Sequence, residues 1–447
     1  MNPPLSLAVV GHTNTGKTSL MRTLLRDSDF GEVKNAAATT RHVEQAAIHD
    51  GQNALVYLYD TPGLEDAGGV LDWLEEHTSA RLDGIERLQQ FLNSEAAAGD
   101  FNQEAKVLRQ LLQSDMALYV IDAREPVLNK YKDELTVLSW CAKPVMPVFN
   151  FIHGQNLDEW SSMLARRTLH VYSGFDTVAF DFEGELRLWD NLATMLPERQ
   201  ILDQLIALRR REWQQLAADA KRDIAHFLLD VAAFKQEIAE HEAAEPILHT
   251  MQEAVRQLER HMQQQLFHHY RFYHSEIDTG DWAMKAFRQD PFDANLLKEY
   301  GIRTSTGAAT GALIGLGLDV MTLGGSLGLG TAIGGVLGGV LPNMQTIGDK
   351  LSGKQTLYIA SETLTLLAAR ALDLLHAIQQ RGHAAQSPIV MQSGKTPWQP
   401  TRLPNELNKA RSQPKWSSLN TQQAEASRRE RLEYAHLLAN KLVVETK

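Results

Sequence analysis

The chain is nearly without cysteine: Cys141 is the only one in 447 residues. No disulfide framework can form, and a reducing compartment is expected. Positive net charge is missing too, with 44 Lys and Arg against 55 Asp and Glu, a formal −11. That excludes the chain as a whole from the generic nucleic-acid binders. The opening Met-Asn-Pro-Pro-Leu-Ser has neither the basic start nor the long apolar stretch of a signal peptide, so a cytosolic start is expected. One long stretch lacks charge: in residues 307–341 the single charged residue is Asp319. The end of the chain runs the other way. From Lys395 onward, ten Lys and Arg face five Asp and Glu, which reads as a solvated tail or a site for a weak anionic partner.

What is present is ordinary for a globular chain, 43% hydrophobic and 22% charged, with length for two or three domains. Up to about residue 197, short apolar runs alternate with helical segments. Leu5–Val10, 53–59, 116–121, 145–149 and 177–180 read as strands, and Lys17–Leu25 reads as a helix. This alternation predicts a mostly parallel sheet with helices on both faces and ligands at the carboxyl ends of the strands. Residues 64–113 hold Leu82, Ile85, Leu88, Phe91 and Leu92, then Val107, Leu108, Leu111 and Leu112, at helical spacing. They predict two helices in an enlarged loop.

The run Gly11-His-Thr-Asn-Thr-Gly16-Lys17-Thr18 fits Gly-x4-Gly-Lys-Ser/Thr at every fixed position. Gly11 and Gly16 let backbone N–H groups curl around phosphate oxygens. A helix N-terminus adds its positive end. Lys17 supplies charge to the β- and γ-phosphates, and Thr18 offers a hydroxyl to Mg2+. Asp60-Thr61-Pro62-Gly63 follows the strand 53–59. There an Asp can hold Mg2+ through water, and the Gly63 N–H can sense a γ-phosphate. A nucleoside triphosphate with Mg2+ is therefore expected. Ser393-Gly-Lys-Thr396 lacks the first glycine and a preceding strand, and is set aside.

Together with Thr39-Thr40-Arg41-His42, these motifs resemble the Era and TrmE branch of translation-factor-type small GTPases, over roughly residues 5–180. The resemblance implies a P-loop GTPase domain of α/β class, GTP as substrate, and hydrolysis as its reaction. It implies Lys17, Thr40 and Gly63 as catalytic. The implied nucleotide contacts are Gly11, Asn14, Thr15, Gly16, Lys17, Thr18, Ser19, Asp60 and Asn150, with Thr18, Thr40 and Asp60 serving Mg2+. Several members bind a potassium ion at the Asn of the P-loop. Asn14 stands in that place, or is a loop residue with no ion. Leu64 follows Gly63 where Ras-type proteins have a water-orienting Gln. The resemblance thus implies slow hydrolysis unless potassium, a nucleotide-dependent homodimer or a partner completes the site.

The base side departs from the family. Asn-Lys-x-Asp is expected after the strand 145–149, and the chain has Asn150-Phe151-Ile152-His153. A neutral imidazole accepts one hydrogen bond where the carboxylate accepts two. GTP is retained through the resemblance; relaxed selectivity or ATP stays open.

Beyond residue 198 the pattern is helical: a stripe from Ile201 to Val231, a second over 245–272, a helix over 355–380, and a last one over 424–442. His268, His269 and His274 read as imidazoles at a helix end or as a metal cluster. Gly307, Gly311 and Gly315, then Gly330, Gly334 and Gly338, are spaced by four, a close-packing device of membrane helices. Residues 320–341 are free of charge; a helix rising about 1.5 Å per residue would span roughly 33 Å there, against a hydrocarbon core of about 30 Å. A hairpin of helices 307–322 and 326–341 is expected, either in contact with a membrane surface or buried.

The expected layout is a GTPase domain over 1–197 with an insertion at about 64–113, an all-helical domain over 198–386 with the glycine-rich hairpin 307–341, and a linker and C-terminal helix over 387–447. The functional expectation is a bacterial, cytoplasmic GTP/GDP switch, peripheral to or integral in the inner membrane. An RNA or ribosome-assembly factor and a non-catalytic nucleotide-dependent scaffold remain as alternatives. Nucleic acid is the less favoured partner, for want of a basic module.

Overall fold

The computed structural model describes residues 3–27, 30–31, 43–177, 181–197, 199–239, 243–270, 289–302, 316–319, 354–380, 396–420 and 428–442. The described residues fall into two compact units, one up to Gln214 and one from Gln215.

The first unit opens with β1 (Leu5–Val10), the phosphate-loop segment and α1 (Lys17–Leu25). β2 (Glu44–Asp50) and β3 (Asn53–Asp60) follow. The enlarged loop then carries α2 (Ala67–His77), α3 (Gly84–Leu92), α4 (Glu95–Ala98) and α5 (Asn102–Gln113). Four helices thus stand where two were predicted. Asp66 and Ser94 each start a helix by accepting from a backbone N–H three residues on. The two predicted stripes fall mainly in α3 and α5; α2 and α4, the helices these caps start, were not predicted. Next come β4 (Met116–Asp122), α6 (Asn129–Ser139), β5 (Val145–Asn150), α7 (Asp158–Ala165), β6 (Ser173–Gly174) and α8 (Phe182–Thr194).

The sheet order is β2-β3-β1-β4-β5-β6, and every pairing is parallel except β2 with β3. β4 and β5 are buried along their whole length, as strands covered on both faces must be. On one face Ala8, Val10, Ala117, Tyr119, Ile121 and Phe149 pack into a core with α2, α3, α5, α6 and α7. The last strand is Ser173–Gly174 rather than 177–180; Thr177 sits in the loop beyond it, and residues 178–180 lie outside the described residues.

The long helix α9 (Gln200–Ala233) begins in the first unit. There Arg209 pairs with buried Glu185 at 3.0 Å, and Arg26 pairs with Glu212.

The second unit continues α9 and adds β7 (Lys235–Ala239), α10 (Ala244–His269), α11 (Ala294–Glu299), β8 (Leu316–Asp319), β9 (Lys354–Ile359), α12 (Ser361–Gln380), α13 (Asn405–Arg411) and α14 (Arg428–Lys441). It is mostly helical, as expected, but not wholly so. β7, β9 and β8 form an antiparallel sheet in that order. Two expectations change. The helix predicted over 355–380 starts at Ser361, because Lys-Gln-Thr-Leu-Tyr-Ile is a strand, its Leu357 and Ile359 buried. The helix predicted over 307–322 is contradicted at Leu316–Asp319, which pairs with β9. The rest of the glycine-rich hairpin lies outside the described residues.

Residues 396–420, read as linker, carry α13 and the 3-10 turn Pro414–Trp416. Trp416 is buried, and Ser417 donates to Asp230 at 2.8 Å. Inside this unit Arg370 and Glu259 form a buried pair at 2.8 Å, and Tyr300 donates to Asp373 at 2.8 Å. No helix of the described residues is long and apolar enough to cross a membrane.

Candidate functional site

Strand ends supply the site. β1 leads into residues 11–16, and β3, β4 and β5 end on Asp60, Asp122 and Asn150. The loop after β6 brings Thr177. In a parallel sheet these ends share one edge.

Gly16 joins the loop to α1 with φ +91°, a left-handed conformation that side chains resist. A Cβ there would also lie 2.3 Å from Asn150 Nδ2. α1 starts at the next residue, so its first-turn N–H groups open onto the loop. Lys17 is buried, and its ammonium donates to Gly11 O at 3.1 Å and His12 O at 2.7 Å. Burial lowers it to about 8, against the charges of Asp60, Glu134 and Glu65. This cation sits inside a loop of backbone dipoles, poorly solvated and open to an anion's charge.

Thr18 donates to Asp60 Oδ2 at 2.6 Å. Asp60 Oδ1 is buried and has no hydrogen-bond partner among the described residues. Burial raises the Asp60 pKa, with Thr18, Lys17 and the Thr61 amide opposing. A hydroxyl beside a carboxylate with an unused buried oxygen fits a hydrated Mg2+, which prefers oxygen ligands and keeps several waters. Thr40, the third implied ligand, lies outside the described residues together with Thr39, Arg41 and His42.

The segment after β3 is clasped to the loop. A Cβ on Gly63 would lie 2.1 Å from Thr13 Oγ1 and 2.8 Å from Thr13 N, so only glycine allows this approach. Leu64 N donates to Gly11 O at 3.1 Å. Leu64 O and Glu134 Oε1 each lie 2.8 Å from His12 Nδ1. Both are acceptors, so Nδ1 carries the hydrogen and shares it. Buried Glu134 also accepts from Tyr119 at 2.6 Å. The Leu64 side chain is fully buried in the core beside α2.

Asn150 is buried and braces three loops. Its Nδ2 donates to Thr15 O at 3.1 Å, and its Oδ1 accepts from Phe151 N, Thr177 N and Thr177 Oγ1, each at 3.0 Å. Phe151 has φ +56°. The Arg124 guanidinium lies 3.9 Å from its ring centroid and is held by Asp122 at 2.7 Å. His153 is exposed. Asn14 and Ser19 are exposed as well, and Asn14 has φ +65°, which Asn tolerates better than most residues. Thr15 is buried, its hydroxyl donating to His12 O at 3.0 Å.

The structure therefore brings Gly11, Thr15, Gly16, Lys17, Thr18, Asp60, Gly63 and Asn150 together. Sequence reasoning missed Thr177 because it read 177–180 as the last strand, whereas that strand is Ser173–Gly174 and Thr177 follows it. It also missed His12 with Glu134, 122 positions apart, for which no sequence signal exists. The histidine cluster divides. His269 pairs with Asp223 at 2.6 Å, and His261, His268 and His269 line a cleft of about 490 Å³. No group of three ligating side chains able to hold a metal occurs among the described residues, and His274 lies outside them.

Residues 6–151 match the family model described as 50S ribosome-binding GTPase. This part of the chain is a GTP-binding P-loop GTPase domain. Residues 161–440 match the model described as Domain of unknown function (DUF3482), and the chain belongs to that family. No curated protein matches the chain. Among solved structures, Era in complex with MgGDPNP and a segment of 16S ribosomal RNA is 18% identical over 40% of this chain and 52% of that one, with a TM-score of 0.30. The chain thus spans about half the length of that structure. The G domain of the T. maritima FeoB iron transporter is 16% identical over 42% and 99%, with a TM-score of 0.27. Aquifex aeolicus Era bound to GDP·AlF4− is 17% identical over 59% and 88%, with a TM-score of 0.32.

Proposed function

We propose that the chain hydrolyses GTP slowly and works as a conformational switch that signals nucleotide state to its C-terminal region. The observation that carries this reading is the Thr18–Asp60 pair with its unused carboxylate oxygen, beside the buried Lys17. In this reading Gly11, Thr15, Gly16 and Ser19 cradle the phosphates, and Lys17 reaches the β- and γ-phosphates. Thr18 and Asp60, joined by Thr40, hold Mg2+, which supplies charge neutralisation on the phosphates. Gly63 presents its N–H to the γ-phosphate, and the segment after it moves when that phosphate leaves. The buried Leu64 side chain does not orient water, so another group has to do so, and the expectation of slow turnover rests on the resemblance. Asn14 is the proposed site for potassium.

The test is hydrolysis of GTP and ATP by the full chain, in sodium and then in potassium, with Lys17→Ala as control. GTP turnover that requires Mg2+ and Lys17 is expected, faster in potassium. Fast potassium-independent turnover by a monomer would sink the slow-switch reading, and absent turnover would favour the non-catalytic one.

Membrane contact through residues 307–341 is the second part of the proposal, resting on the charge-free run 320–341. Co-sedimentation with anionic vesicles is expected for the full chain and not for a chain lacking 305–343. An RNA or ribosome partner is suggested by the description of the matched GTPase family. Salt-sensitive RNA binding would favour it over the membrane.

A further inference from the structure

The buried Leu64 leaves open which group positions the attacking water. Its side chain points into the core, its N–H is bonded to Gly11 O, and its carbonyl is bonded to His12. The next residue is Glu65. Its backbone is fixed, because Glu104 Oε1 on α5 accepts from Glu65 N at 3.2 Å and Asp66 N at 3.0 Å. Its side chain is exposed and turns back onto the phosphate loop, where Oε1 accepts from Thr13 Oγ1 at 2.9 Å. Thr13 is the residue against which Gly63 packs. The Glu65 charge is also felt by Lys17. A carboxylate therefore lies on Thr13, the phosphate-loop residue against which Gly63 packs, and within the field of Lys17, one residue beyond the place where the sequence shows only leucine.

We propose that Glu65 is the catalytic residue that orients and polarises the attacking water, and that Thr13 is its positioning residue. This rests on the reading of the site as a GTP-hydrolysing one. The water oxygen forms a bond to Pγ while the bond from Pγ to the β–γ bridging oxygen breaks. GDP keeps that electron pair, and the proton lost by water leaves with the phosphate. Glu65 accepts the hydrogen bond that aims the water, as a glutamine does in Ras-type proteins. Its charge is tolerated because Lys17 and the cation neutralise the phosphates around it. The insertion has a catalytic use in this arrangement, since Glu104 on α5 holds the backbone from which Glu65 reaches the loop.

The test uses the full chain and single-turnover GTP hydrolysis, with affinities for GDP and a non-hydrolysable GTP analogue measured alongside. Glu65→Ala should slow hydrolysis by about 100-fold with affinities unchanged. Glu65→Gln should retain most of the rate, because an amide oxygen still accepts from water. Thr13→Ala should slow hydrolysis less than Glu65→Ala, and Thr13→Ser should restore the rate. Leu64→Gln should not accelerate it, since that side chain faces the core. Glu65→Ala at the wild-type rate or faster, with nucleotide still bound, overturns the assignment. Failure of Thr13→Ser to rescue Thr13→Ala overturns the role of Thr13. No hydrolysis by the wild type overturns the GTPase reading itself and this assignment with it.

Discussion

Thr18 Oγ1 meets Asp60 Oδ2 at 2.6 Å, although 42 positions separate the two residues. The hydroxyl comes from the first turn of α1 and the carboxylate from the last residue of β3. β1 and β3 run parallel in a register that sets Val9 opposite Asp60. The sheet therefore fixes the distance between the two groups, and Asp60 keeps one buried oxygen with no hydrogen bond among the described residues. In the wild type, Mg2+ should tighten GTP binding at least about tenfold against EDTA. Asp60→Asn should lose most of that gain while still accepting from Thr18. Fluorescence titration with a labelled GTP, with and without Mg2+, checks this.

Asn150 should prove structural as well as nucleotide-linked. Asn150→Ala removes four hydrogen bonds and strands Thr177 and Thr15 O in a buried place. At about 0.5–1.5 kcal/mol per bond, a loss of roughly 3 kcal/mol in stability is expected. Urea unfolding of the full chain should show it, with weaker nucleotide binding in the same variant. A variant that binds poorly at unchanged stability would contradict the bracing role.

Base selectivity should be weak and improvable. His153 stands where the family has a carboxylate, and it is exposed. His153→Asp should raise the GTP-to-ATP affinity ratio by at least tenfold, since a hydrogen bond to a charged group contributes about 1.5–3 kcal/mol. Competition binding with both nucleotides measures the ratio. If it does not move, the base does not lie against this segment.

In the second unit, burial raises Asp373 to about 6, with the hydrogen bond from Tyr300 and the charge of Arg370 opposing. A carboxyl whose folded pKa exceeds its unfolded value of 3.8 opposes folding when ionised. The penalty is absent below pH 4, grows between pH 4 and 6, and is complete above. Asp373→Asn should therefore raise the urea midpoint at pH 7.5 and leave it nearly unchanged at pH 4. An equal effect at both values would assign the change to packing instead of charge.

Contiguous patterns carried the GTPase domain. Residues 11–18 and Asp60–Gly63 are runs of adjacent residues whose chemistry is local, and β1 and α1 appear where periodicity and glycine placed them. Six-residue strands beside helices were less legible. Lys354–Ile359 abuts α12, and a short apolar run there reads as either element until its partner β7 is known. β8 was misread for the same reason, since glycine spacing records close packing and not which backbone comes close.

Runs of adjacent residues were enough to specify the phosphate loop, the Asp60–Gly63 motif, a mostly parallel sheet and an altered base motif. Contacts between distant segments turn Leu64 inward, join Glu134 through His12 to the segment after Gly63, tie Thr15 to Thr177 through Asn150, and return Glu65 to Thr13. Those pairings span 52 to 135 positions for His12 and for the Asn150–Thr15 bond. No local period encodes such distances. They are set when the strands take their register and bring the chain's loops to one edge.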